Sequence, residues 1–338
     1  MTTTDASGAT YSETFTIAVG DVNEGPSDIA LSNASVDENA AGAVVGTLST
    51  TDVDAGDSHT YAVDDARFEV VGGELKLKDG VSLDHEAESS VAVEVTTTDA
   101  SGATYSETFT IAVGDVNEGP SDISLSNASV DENAAGAVVG TLSTTDVDAG
   151  DSHSYAVDDA RFEVVGGELK LKDGVSLDHE AESSVAVEVT TTDASGATYS
   201  ETFTIAVGDV NEGPSDIALS NASVDENAAG AVVGTLSTTD VDAGDSHTYA
   251  VDDARFEVVG GELKLKDGVS LDHEAESSVA VEVTTTDASG ATYSETFTIA
   301  VGDVNEGPSD IALSNASVDE NAAGAGVGTP ALKWSVAS

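Results

Sequence analysis

Residues 91–113 read VAVEVTTTDASGATYSETFTIAV. Tyr105, Phe109, Ile111 and Val113 share one parity, while Ser106, Thr108 and Thr110 take the other. Val91, Val93 and Val95 face one way before them. Successive side chains of a strand point to opposite faces, so this period of two predicts two strands, each with one apolar face. Asp99 to Gly102 lies between them and is turn-forming. Working backward, Leu75 and Leu77 follow a Gly72-Gly73 turn, Phe68 and Val70 precede it, and Tyr61 and Val63 follow an Asp-rich loop. Val45 to Ser49 and Ile29 to Leu31 complete the set. Seven short strands in about 94 residues, with no helical period, predict an all-β, Greek-key antiparallel sandwich of immunoglobulin size.

The unit recurs. The string DVNEGPSDI begins at Asp21, Asp115, Asp209 and Asp303, a period of 94 residues. Residues 21–114 and 209–302 are identical, and 115–208 differs only by Ser124 and Ser154. The expected organisation is three tandem sandwiches in a linear array at 21–114, 115–208 and 209–302. Residues 1–20 read as the C-terminal remnant of a further copy, and 303–338 as the start of another that departs into GVGTPALKWSVAS. The chain is therefore expected to be a fragment of something longer.

Of 338 residues, 64 are Asp or Glu and 10 are Lys or Arg, giving a formal charge of −54. Residues 21–114 alone hold 19 acids and 3 bases, so the charge belongs to the repeat. Phosphate binding needs clustered Lys and Arg, which excludes nucleic acid as a partner, and anionic membrane surfaces repel the chain likewise. No apolar run approaches the roughly 18 residues of a spanning helix, and no signal peptide opens the sequence. Without cysteine there are no disulfides and no thiolate ligands. Hydrophobic residues still make up 39%, much of it in alternating runs, so the acid calls for a counter-charge and not for a disordered chain.

Each strand crosses a sandwich once, so loops alternate between its poles. Asn23, Glu24, Asp52, Asp54 and Asp99 then share the upper pole, and Glu38, Asp84, Glu86, Asn117 and Glu118 the lower. Head-to-tail joining brings the lower set to Asp146, Asp148 and Asp193 of the next copy. One period on, Glu132, Asp178, Glu180, Asn211 and Glu212 meet Asp240, Asp242 and Asp287. At the last junction Glu226, Asp272, Glu274, Asn305 and Glu306 have no complete partner set. Seven acids among eight residues repel one another unless cations neutralise them. Oxygen ligands in that number suit Ca²⁺ at six to eight coordination, two or three ions to a junction.

Five motifs carry a family resemblance: DEN at Asp37–Asn39, DVDAG at Asp52–Gly56, LDHE at Leu83–Glu86, TDASG at Thr98–Gly102 and DVNEGP at Asp115–Pro120. In this order and spacing they resemble the calcium motifs of the cadherin repeat, and the resemblance covers nearly the whole chain. His85 stands where the family usually has Arg, Glu118 where it has Asp, and Gly119 replaces an Asn in a linker one residue shorter. The family uses that Asn through its backbone carbonyl, so the resemblance implies a surviving site with one ion fewer. Near-identical copies, the linker and the lack of cysteine are more similar to cadherin-like repeats of giant bacterial surface adhesins than to animal receptors. What this implies is a non-enzymatic, Ca²⁺-stiffened stalk of a secreted or cell-surface adhesin. Its expected partners are calcium ions, neighbouring repeats and other cell-surface molecules, and its expected location is extracellular.

Other readings are weaker. Direct homophilic adhesion finds no exposed tryptophan near a repeat start, and a carbohydrate-binding module needs an aromatic platform that Tyr61 and Tyr105, in core parity, do not supply. An EF-hand fails because the twelfth position from Asp52 is Val63. Paired carboxylates as a glycosidase lack a sugar cleft. His59 and His85 read as loop packing, since no third zinc ligand accompanies them. The sequon Asn33-Ala34-Ser35 is expected to be incidental, and Trp334 to mark a chain end.

Overall fold

The computed structural model describes residues 1–321, 323–324 and 326–334. The chain falls into two compact units, one of Met1–Leu125, Leu142–Asp158 and Glu188–Thr202, the other of Ser126–Thr141, Asp159–Val187 and Phe203–Ser338.

The first unit opens with a small hairpin of β1 (Thr2–Thr4) and β2 (Thr10–Ser12). The repeat 21–114 follows as β3 (Asp28–Leu31), β4 (Ser35–Asp37), β5 (Val44–Thr51), β6 (Thr60–Val63), β7 (Phe68–Val71), β8 (Glu74–Leu77), β9 (Ser90–Thr98) and β10 (Thr104–Gly114). They form two four-stranded sheets, in the orders β3-β5-β8-β7 and β4-β10-β9-β6. β9 and β10 pair antiparallel from Thr98↔Thr104 to Ser90↔Ala112, the hairpin that residues 91–113 predict. Ile29, Val45, Leu48, Phe68, Leu75 and Leu77 from one sheet close on Val91, Val93, Val95, Ile111 and Val113 from the other. Tyr61 and Tyr105 flank this core half-buried, as their parity predicts, and Tyr61 Oη lies 2.8 Å from Thr50 Oγ1. Fully burying each such aliphatic side chain contributes about 1.5–3 kcal/mol, which is what drives alternating residues to this face.

One strand is additional to the seven. β4 pairs parallel with β10, Ser35 opposite Ala112 and Asp37 opposite Gly114, so the chain leaves one sheet at Leu31 and joins the other at Ser35. Asn33 makes the crossing: its Nδ2 donates to the carbonyls of Ser35 and Val45, each at 2.8 Å, and Ser35 Oγ donates to its Oδ1. Those bonds occupy the amide of the sequon. A three-residue strand with a single buried valine has too little alternation to read from sequence. Gly46 permits the close approach, because a Cβ there would lie 2.8 Å from the backbone of Asn33. The register slips by one at that point, a β-bulge. Gly72 and Gly73, with φ of 60° and 83°, make the tight β7–β8 turn that twisted hairpins favour.

The remainder of the first unit repeats parts of this pattern. Asp122–Leu125 pairs with Leu142–Thr145, and Ser154–Val157 with Val189–Thr192. In the second unit residues 209–302 reproduce both sheets and the core, with Ile217, Phe256, Leu263, Val281 and Ile299 among its buried members. Ser129–Asp131 pairs parallel with Ala206–Gly208, as β4 does with β10. Pro308–Leu313 and Pro330–Trp334 form a terminal antiparallel pair. The side chain of Trp334 lies outside the described residues.

Candidate metal centre

The pairing of β4 with β10 delivers Glu38 to the start of the linker, where the residue is only 2% exposed. Glu38 Oε2 accepts the His85 N–H at 2.7 Å, and Oε1 accepts the Val116 N–H at 2.8 Å. These two backbone donors, His85 first, hold the Glu38 carboxyl below its ordinary range. Asn39 follows in the left-handed region, φ 57°, which Asn tolerates, and its Nδ2 donates to Glu118 Oε1. Carboxylate oxygens of Glu38, Glu86 and Glu118 thereby lie within 4.8 Å of one another. Burial pushes the Glu86 carboxyl up, and the charges of Glu38, Glu118 and Asp148 push it further.

The residues predicted from the next copy reach the same place within this unit. Asp148 Oδ2 accepts the Glu118 N–H at 2.8 Å, and the Asp148 N–H donates to Asp146 Oδ1 at 3.2 Å. Asn117 Nδ2 donates to Asp193 Oδ2 at 2.9 Å. That amide, with Ser195 Oγ and the Ala197 and Gly196 N–H groups, depresses Asp193 to about 2. Asp146 Oδ2 pairs with His153 Nε2 at 2.8 Å. Asp84 differs from the others, since its Oδ1 takes the Ala87 N–H at 2.8 Å and holds its own turn.

The second unit builds the same arrangement. Glu132 accepts from His179 and Val210 at 2.7 and 2.8 Å and gathers with Glu180 and Glu212. Asp242 accepts the Glu212 N–H at 2.8 Å, Asn211 donates to Asp287 at 3.0 Å, Asp240 pairs with His247, and Asp178 takes the Ala181 N–H. Partial versions stand at both ends. Asn23 donates to Asp99, Glu24 N–H to Asp54, and Asp52 pairs with His59. At the other end Glu226 accepts from His273 and Val304, Asn227 donates to Glu306, Asn305 Nδ2 donates to the Glu306 carbonyl, and Asp272 holds its turn beside Glu274.

Whether these residues fit a cation turns on atoms left over. Glu118 Oε2 and Asp148 Oδ1 are buried and have no hydrogen-bond donor, and so are their counterparts Glu212 Oε2 and Asp242 Oδ1. A buried carboxylate oxygen without a donor is costly, and few persist in native proteins without an ion or water to satisfy them. The same two atoms are orphaned at both junctions, among hard oxygen donors and no sulfur, which fits Ca²⁺.

Sequence reasoning missed Asp57, Asp151 and Asp245. Each has a buried Oδ2 without a partner, and Asp57 gathers with Asp52 and Asp99. The signal lay one residue beyond DVDAG, in the Asp that follows Gly56.

No protein-family model matches the sequence. Among solved structures, the chain is similar to the EC1-4 region of PcdhgB3, with 23% identity over 83% of this chain and 76% of that one at a TM-score of 0.60. Mouse cadherin-23 EC22-24 matches at 20% identity over 80% of this chain and 96% of the other, TM-score 0.63. The EC3-6 structure of protocadherin gammaB7, a cis-dimer, matches at 19% identity over 88% of this chain and 78% of that one, TM-score 0.62. Repeated pairs of four-stranded sheets, aligned to these extracellular cadherin repeats, give the chain the fold of cadherin-like tandem β-sandwiches.

Proposed function

We propose that this chain is a calcium-binding structural segment of a cell-surface or secreted adhesin. In this reading residues 21–114, 115–208 and 209–302 are successive domains, and 1–20 and 303–338 belong to incomplete ones. The supporting observation is the recurrence of buried, donorless carboxylate oxygens at Glu118 and Asp148 and again at Glu212 and Asp242. Glu38, Glu86, Asn117, Glu118, Asp146, Asp148 and Asp193 would hold the ions at one junction. Glu132, Glu180, Asn211, Glu212, Asp240, Asp242 and Asp287 would hold them at the other. Bound Ca²⁺ supplies the positive charge that lets these groups stay ionised side by side.

The protein's own share is preorganisation. Glu38 ties the 83–86 loop to the linker through two backbone donors, and Asn117 and the Glu118 N–H tie that linker to Asp193 and Asp148. Ions seated there stiffen the passage from one repeat to the next, and the array holds a tip away from the cell as a stalk does. Near-identity of the copies favours a spacer of the bacterial-adhesin type, since a recognition site is needed only once. Small-angle scattering with Ca²⁺ and in excess EGTA tests this. The scattering profile changes on chelation, and identical profiles refute the stalk mechanism.

A further inference from the structure

We propose that Glu107, Glu201 and Glu295 are edge guards: each is an acid turned inward beside an unpaired strand edge, and its charge keeps the same strand of a second copy of this chain from pairing there. β10 reads TYSETFTIAVG and carries one charge in 11 residues, in a chain with 64 acids. That charge, Glu107, lies opposite Val95 on the parity where Tyr105, Phe109, Ile111 and Val113 face the core. An acid present only for solubility would face outward, as the exposed Glu94 does on β9.

The register gives the inward acid its task. The Val113 N–H donates to Ser89 at the β9 side, whereas the Ala112 N–H donates to Ala34 at the β4 side. Alternation then turns the backbone groups of Ser106, Thr108 and Thr110 toward β4, which reaches only Ala112 to Gly114. From Thr104 to Ile111 that edge of β10 has no strand beside it. The adjoining edge is open as well: β3 ends the other sheet and pairs only with β5. Across this seam Glu107 Oε2 accepts the Ile29 N–H at 3.4 Å. In the later copies Glu201 Oε2 and Glu295 Oε2 are buried without a hydrogen-bond partner, although each residue as a whole is half-buried. Thr292–Gly302 repeats the arrangement, with Glu295 opposite Val283 and a parallel partner reaching only Ala300 to Gly302. A buried oxygen without a donor costs stability, so a packing role alone would favour an apolar residue here.

An unpaired edge along an uncharged, β-prone run is a template for another chain. Thr108–Val113 is such a run, and it recurs unchanged at 202–207 and 296–301, so every copy of the chain carries matching edges. The occupant to be excluded is therefore the same strand of a second copy. A strand added along Thr104–Ile111 would close the seam through which Glu107 stays half-exposed, and a charge so covered, with no partner, is unfavourable. Inward-pointing charges are among the devices that protect sheet edges.

The test is sedimentation velocity of the whole chain over a range of concentrations. Glu107→Thr, Glu201→Thr and Glu295→Thr together remove the charges and keep strand propensity. The native chain should stay monomeric, and the triple variant should self-associate about 10–100-fold more tightly. Glu94→Thr, Glu188→Thr and Glu282→Thr remove the same charge from exposed positions of the neighbouring strand and should leave the chain monomeric. Glu107→Thr alone is the milder change, which keeps the test open if thermal melts show that the triple variant does not fold. It opens one edge, so association should stop at dimers, and its 104–114 peptide, distinguished from the other copies by the substitution, should gain hydrogen-exchange protection. Equal behaviour of the native chain and the inward variants, or of the inward and outward triple variants, overturns the proposal.

Discussion

Asp148→Asn tests the calcium reading at its most exacting point. Asp148 has two tasks in the structure: Oδ2 receives the Glu118 N–H at 2.8 Å, and Oδ1 is buried without any donor. Asparagine has one acceptor oxygen, so it can keep the backbone bond or face the cation, and its NH₂ group cannot ligate. One charge and one oxygen are lost from a set in which charge count and ligand number tune affinity over decades. By comparison with the 10–100-fold cost of losing a residue behind a ligand, the loss at this junction should be about 100-fold. The junction at Glu132, Glu180, Glu212 and Asp242 is untouched. Calorimetric titration of the decalcified variant should therefore turn biphasic, with half of the tight ions weakened. Glu188→Gln is the control: it removes the same charge from an exposed strand position. Glu201, although a last-strand acid with no expected metal role, is a poorer control because its Oε2 is buried without a partner. Indistinguishable titrations for Asp148→Asn and Glu188→Gln would mean that affinity follows bulk charge, and the assignment of ligands would fall.

A fragment of residues 115–208 lacks Glu38, Glu86 and Glu118's partner Asn39, and it should lose the tight calcium class while keeping weak binding; equal affinity per repeat in the fragment and the full chain refutes shared sites. Leu263→Ala empties a position that is 0% exposed and should destabilise its sandwich by about 2–5 kcal/mol, read from urea denaturation. Stability of the metal-free chain should depend on pH in two opposed steps. Glu180 is raised, so its ionised form is unfavourable above its folded pKa, and melting temperature should rise as pH falls toward the ordinary carboxylate range. Asp193 is depressed to about 2, so its contribution is present above 3.8 and is lost as pH falls toward 2, where melting temperature should drop. Calcium should abolish the first step, and a monotonic profile without metal contradicts it.

Strand alternation made most of the fold legible. Val91 to Val113 gives two strands with correct inward faces because burial repeats every second residue. Ser35–Asp37 escaped because its placement is decided by side-chain bonds from Asn33 and by the room that Gly46 leaves, neither of which has a periodic signature. At the site, sequence identifies which residues are acidic but not what each acid does. Asp84 and Glu86 sit two residues apart in one motif, yet Asp84 takes an N–H of its own turn while Glu86 faces other carboxylates. Asp57 was overlooked for the opposite reason: Asp is so common after Gly in turns that its buried oxygen is visible only in three dimensions.

The distribution of the few bases bears on the proposed cation at the junctions. Residues 21–114 contain Arg67, Lys76 and Lys78 and no other strong base. Arg67 is committed to Asp65 and Glu88, and Lys76 to Glu69 and Asp79. Lys78 lies near enough to Asp65 to favour its charge. The same pairings recur at Arg161, Lys170, Arg255 and Lys264. Glu38, Glu86, Glu118 and Asp148 are therefore left with backbone N–H groups and the Asn39 amide. Backbone dipoles and amides can orient carboxylates, but they cannot cancel several full charges brought within 4.8 Å. A sequence selected only for solubility could scatter its acids over the surface, where water screens them. Here they are held together by specific bonds while Arg67 and Lys76 are paired with other carboxylates, and in the proposed reading a divalent ion from solution supplies the counter-charge.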